Sequence, residues 1–76
     1  MKKTTKSRAG VFNWGTVSLA ARSPETRAML ANEFETRGNL VEACTAVEDR
    51  LEFVKGKAAR IERERIRDVR RIGEGE

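Results

Sequence analysis

The sequence predicts an all-α chain: an αα-hairpin with a short first helix and a long second helix, preceded by an extended N-terminal segment and built to self-associate. Three observations lead there. Ser23-Pro24-Glu25 and Asn39 with Glu42 are helix starts, and Gly38 between them is a ready left-handed stop. A long apolar seam at alternating spacings of four and three follows Asn39. At 76 residues the chain holds one domain at most, with a core of about nineteen large apolar side chains once its nine alanines are set aside. So thin a core makes a shared one attractive.

Taken in order, residues 1–10 form a basic arm. Lys2, Lys3, Lys6 and Arg8 carry no acid among them, and such an arm is expected to stay mobile until a partner holds it. In residues 11–22, Phe12 and Trp14 alternate with polar neighbours, as do Val17 and Leu19. That two-residue period is interrupted by Gly15 and predicts an extended segment. A lone strand needs an edge to pair with. It must therefore cross the helices, pair with a copy of itself or dock on a partner.

Residues 23–38 are expected as the short helix. Pro24 suits its first position, Glu33 and Arg37 make an i,i+4 pair, and Met29, Leu30 and Phe34 supply its apolar contact. Residues 39–72 are expected as one long helix. Its seam is Leu40, Cys44, Val47, Leu51, Val54, Ala58, Ile61, Val69 and Ile72, with Gly56 its weak point. Unbroken, it would reach about 50 Å at 1.5 Å per residue. Residues 73–76 are expected to fray. The first helix covers only the opening turns of the second. Val54, Ala58, Ile61, Val69 and Ile72 then form a seam for self-association or for a partner.

Composition excludes several function classes. Charged residues make up 37% of the chain, the net charge is +4, and no long apolar run exists. Neither a membrane span nor a signal peptide is expected, and the reading is cytoplasmic, or host cytoplasm for a virus-encoded chain. There is no histidine, and Cys44 is the sole cysteine. This removes the commonest general base, the usual zinc sets and any internal disulfide. No enzyme activity, cofactor or metal is expected, and Cys44 reads as a small buried hydrophobe, with no basic neighbour in sequence to activate it.

Function is therefore sought on surfaces. On a helical wheel at 100° per residue, Lys57, Arg60, Arg63, Arg67, Arg70 and Arg71 fall in one arc of about 140°. Only Glu64 intrudes, and Arg65 alone lies on the opposite, apolar side. A guanidinium row suits carboxylates or phosphates because each can bind bidentately. On the same face the first half of the long helix carries Glu42, Asp49 and Glu52. Two such helices are complementary when antiparallel, which favours an antiparallel homodimer. Phe53 lies off the seam among acids and, with Phe12 and Trp14, serves either as a partner anchor or as a satellite core.

The order extended segment, helix, turn, helix resembles the ribbon-helix-helix repressors. The resemblance implies paired N-terminal strands reading the major groove. The chain departs from it in the short Gly38-Asn39 turn, the length of residues 39–72 and Gly15. Its size matches small accessory proteins of phages and mobile elements that bind a host protein.

The expected function is a non-enzymatic helical interaction protein: an adaptor, inhibitor or regulator. It would bind another protein through Phe12, Trp14, Phe53 and the basic face of Lys57, Arg60, Arg63, Arg67, Arg70 and Arg71. A nucleic-acid-binding dimer using the arginines on phosphates is one alternative, and a structural subunit of a larger particle such as a virion is another.

Overall fold

The computed structural model of the chain describes residues 12–75, and they form four helices with no strand among them. The all-α class stands. The basic arm of residues 1–10 lies outside the described residues.

The extended segment is corrected: Trp14–Ala20 is a helix, α1. Asn13 caps it, its side-chain oxygen accepting the Thr16 N–H at 3.1 Å. Burial explains the difference. Val17, Ala20 and Ala21 are buried, and their spacing of three and one is helical. The apparent alternation counted Leu19 as an inward residue, whereas it is 77% exposed. With no strand among residues 12–22, that segment offers no edge for the paired ribbon implied by the repressor resemblance.

Helix α2, Pro24–Arg37, begins and ends where its caps place it. Ser23 accepts the Glu25 N–H, and Gly38 stops the helix at φ 69°. Asn39 then accepts the Glu42 N–H at 3.1 Å and opens α3, Leu40–Leu51. Helix α2 turns Thr26, Leu30 and Glu33 inward, and α3 turns in Ala43, Cys44, Val47 and Leu51.

The single long helix is the second correction. Helix α3 ends at Leu51, residues 52–56 reverse the chain, and α4, Lys57–Glu74, runs back antiparallel along α3. Gly56 makes the reversal at φ 124° and ψ 151°, a backbone conformation that is essentially the property of glycine. The gain is burial. A continuous rod would leave Ile66 without cover, whereas the folded-back helix buries it fully against the α3 seam. The core is one cluster: Val17, Ala20, Ala21, Leu30, Cys44, Val47, Leu51 and Ile66. Phe12, Trp14, Met29, Leu40 and Val69 pack around it. The overhang that demanded an outside partner is therefore gone, and the seam divides. Its α3 part is core, while Val54, Ala58, Ile61 and Ile72 are exposed and Val69 is half-buried.

Helix α1 lies antiparallel on α4. The Phe12 ring rests on Gly73, where an added Cβ would come within 2.6 Å of it. At the other end Arg65 donates to the Ala20 and Leu19 carbonyls at 3.1 and 3.3 Å. These are unsatisfied acceptors at the C-terminal end of α1, so Arg65 caps a helix other than its own.

Candidate interaction surface

The acidic and basic halves of residues 39–72, expected to pair between two copies, meet within one chain. Arg70 forms an ion pair with Glu48 across the α3–α4 interface and a second with Glu74 at 2.6 Å. Its hydrogen bond to Glu48 raises the Arg70 pKa. Arg70 is thus an internal latch and is corrected out of the partner-binding set. Arg63 is half-buried, in a groove of about 290 Å³ lined by Arg67, Glu64 and the α3 acids Glu48, Asp49 and Glu52.

Lys57, Arg60, Arg67 and Arg71 remain exposed and make no ion pair among the described residues. The field around them is weak. Residues 12–75 carry twelve Lys and Arg against eleven Asp and Glu, a net charge of +1, so most of the chain's positive excess sits in its first ten residues.

The aromatics split. Trp14 stacks on Phe34 with ring centroids 6.0 Å apart and an interplanar angle of 14°. It is half-buried, as is Phe12, and both serve the satellite core. Phe53 is 83% exposed in the reversal after α3.

Two other polar anchors are internal. Glu33, buried on α2, accepts from Arg37 at 2.7 Å and lies 3.6 Å from Arg50 of α3, which ties the hairpin arms together. That hydrogen bond raises the Arg37 pKa. Buried Glu62 accepts the Ser23 N–H at 3.3 Å, at the N-terminus of α2, where a carboxylate is favoured. Cys44 is fully buried, and desolvation, followed by the nearby Glu48 charge, pushes its thiol up to about 12.

A different surface emerges on the solvent face of α4. Ala58, Ile61, Arg65, Asp68 and Ile72 follow one another at spacings of three, four, three and four, so they share a stripe. Ile61 and Ile72 are 45% and 42% exposed. Leu19 of α1 stands beside the stripe, on a shallow groove of about 370 Å³ lined by Thr16, Ala20, Arg65, Asp68 and Val69. Sequence reasoning placed Ala58, Ile61 and Ile72 on a seam but missed Leu19, Arg65 and Asp68. The available signal was Arg65, the one arginine on the apolar side of the wheel.

Among the described residues no helix is long and apolar enough to cross a membrane, and no group of three or more His, Cys, Asp or Glu could hold a metal ion. No family model matches the chain, and no curated protein or solved structure matches it either.

Proposed function

We propose that this chain is a non-enzymatic helical interaction protein that works by protein–protein docking through the apolar stripe of α4 and the adjoining end of α1. One observation carries the reading. Leu19, Ile61 and Ile72 stand exposed along one side of a domain that already has enough core to bury Ile66, Leu30 and Val17 completely. Apolar side chains grouped beside a groove are the usual mark of a protein-binding surface. The absence of histidine from the sequence and the burial of its one thiol support a function without chemistry.

The test is capture from a lysate treated with nuclease, comparing the wild-type chain with Ile61→Glu/Ile72→Glu. Both side chains are exposed, so the variant keeps its helical circular dichroism. It is expected to lose the captured protein. Equal capture by both chains with sedimentation also unchanged by the substitutions, or capture that vanishes with nuclease alone, overturns the reading.

A nucleic-acid reading has one observation in its favour, the exposed guanidiniums of Arg60, Arg67 and Arg71, which make no ion pair among the described residues. Three phosphate contacts give a log–log salt dependence of about −3 in affinity. A gel-shift titration across salt, with Arg60→Ala/Arg67→Ala/Arg71→Ala as control, decides it.

A further inference from the structure

The geometry points to a second copy of this chain as the occupant of the α4 stripe, bound antiparallel about a twofold axis that passes between Ile66 and Arg67. The inference rests on the stripe being a docking face and adds what covers it and in which register.

The argument is one of self-complementarity. Read from either end, the stripe has the same character: Ile61, then Arg65 and Asp68, then Ile72. The two isoleucines and the two charged residues are symmetric about the midpoint between residues 66 and 67. An isologous interface requires that symmetry, since residue i must suit residue j and j must suit i. In the antiparallel register Ile61 packs on the partner's Ile72, and Arg65 faces the partner's Asp68. Each contact occurs twice. A parallel pair with the same residues in line sets Arg65 against Arg65 and Asp68 against Asp68, which is repulsive.

The flanking positions agree. Glu64 and Arg71 border the stripe on the side away from α1, seven residues apart, both exposed and neither in an ion pair among the described residues. In an antiparallel helix pair the flanking residues of this side meet their own kind across the axis. The register above brings Glu64 to the partner's Arg71, again twice. On the opposite flank Leu19 stands exposed over the groove beside Arg65 and Asp68, where it adds apolar area to the contact.

Arg65 is prepared for this role. Its Nε and one Nη2 hydrogen are held by the Ala20 and Leu19 carbonyls. The remaining N–H groups of its five-donor guanidinium make no hydrogen bond among the described residues and can meet a carboxylate. A side chain already fixed loses less freedom on binding. A charged pair inside an apolar seam contributes little affinity after desolvation, but it selects register and orientation.

Cysteine cross-linking reads the register directly. In the antiparallel pair Ile61 lies beside the partner's Ile72 but about 16 Å along the axis from the partner's Ile61, since eleven residues rise about 1.5 Å each. A disulfide needs Cα atoms within about 7 Å. Mixing full-length Ile61→Cys with full-length Ile72→Cys is therefore expected to give a disulfide-linked dimer under mild oxidation, while either variant alone gives little. The native thiol of Cys44 is buried and does not compete. Efficient self-cross-linking of Ile61→Cys overturns the antiparallel register. So does failure of the mixture to cross-link when sedimentation shows a wild-type monomer at high micromolar concentration.

Charge exchange tests the same register without altering the apolar contacts. Glu64→Arg and Arg71→Glu each place like charges across the axis and are expected to weaken the dimer about tenfold. The double variant Glu64→Arg/Arg71→Glu restores it, and the two single variants pair with each other. Absence of that rescue overturns the register. A monomeric chain whose Ile61→Glu/Ile72→Glu variant still loses a captured protein refutes the second copy alone. Unchanged capture by that variant from a chain that sediments as a monomer refutes the docking face itself.

Discussion

Glu48 of α3 accepts a forked pair of hydrogen bonds from Arg70 of α4, twenty-two positions later in the chain. The contact closes the reversal at residues 52–56 and holds α4 against the helix it follows. Both side chains are mostly buried, at 13% and 20% exposure, so the pair is only partly screened by solvent. Glu48→Gln or Arg70→Ala is expected to destabilise the fold by about 1–3 kcal/mol. Because the two residues act through one contact, the double variant falls short of the sum by about 1 kcal/mol. Urea denaturation of the four chains measures this coupling. Additive effects would show that the latch contributes nothing to stability.

Gly56 offers a test whose sign decides the architecture. At φ 124° and ψ 151° an alanine is strained although nothing crowds its Cβ, so Gly56→Ala is expected to cost about 1–3 kcal/mol. Were residues 39–72 one uninterrupted helix, the same substitution would stabilise it by about 1 kcal/mol through propensity. Thermal unfolding of Gly56→Ala therefore distinguishes a reversal from a rod by the direction of the change in Tm.

Phe12 and Gly73 make a similar pair. Gly73 lies inside α4, where alanine is normally better by about 1 kcal/mol. Here the new Cβ would fall 2.6 Å from the Phe12 ring and displace it. Gly73→Ala is expected to give little or no net stabilisation in the wild-type chain. In a Phe12→Ala background the ring is gone, and the same substitution should recover its full benefit of about 1 kcal/mol. Equal effects in the two backgrounds would mean that Phe12 does not pack on Gly73.

Local chemistry accounts for what was readable in the sequence. Ser23, Pro24, Gly38 and Asn39 act within a turn of their own position, so α2 and the start of α3 were legible. What escaped depends on tertiary contacts. The 11–22 segment has a two-residue alternation and a cap-led helical period superposed, and the burial of Val17, Ala20 and Ala21 selects the second. Gly56 was visible as a weak point, but a glycine alone does not distinguish a bend from a reversal. The burial of Ile66 decides that, and Ile66 fell off the extrapolated seam. The arginine face is legible only as a pattern of charge, because the Arg70–Glu48 contact that divides it exists only once α4 folds back.

Cys44 gives the fold an alkaline limit. Its thiol is pushed from its usual value of 9.0 up to about 12, chiefly by burial among Val47, Leu30 and their neighbours. A raised pKa means that the folded state holds the proton more tightly than the unfolded state. The stability this contributes is complete below pH 9.0 and is lost as the pH climbs through the window up to about 12. Within that window the loss approaches about 1.4 kcal/mol per pH unit. Lysines titrate in the same range, so the measurement must be differential. Cys44→Ala leaves a small cavity and is expected to be less stable than wild type by about 1–2 kcal/mol at about pH 8. It has no thiol to ionise, so the deficit should shrink, and then reverse, as urea midpoints are followed to about pH 11. The same burial should make the native thiol slow towards a disulfide reagent at neutral pH and fast once urea unfolds the chain. A deficit independent of pH, or a thiol equally reactive in both states, would place Cys44 outside the core.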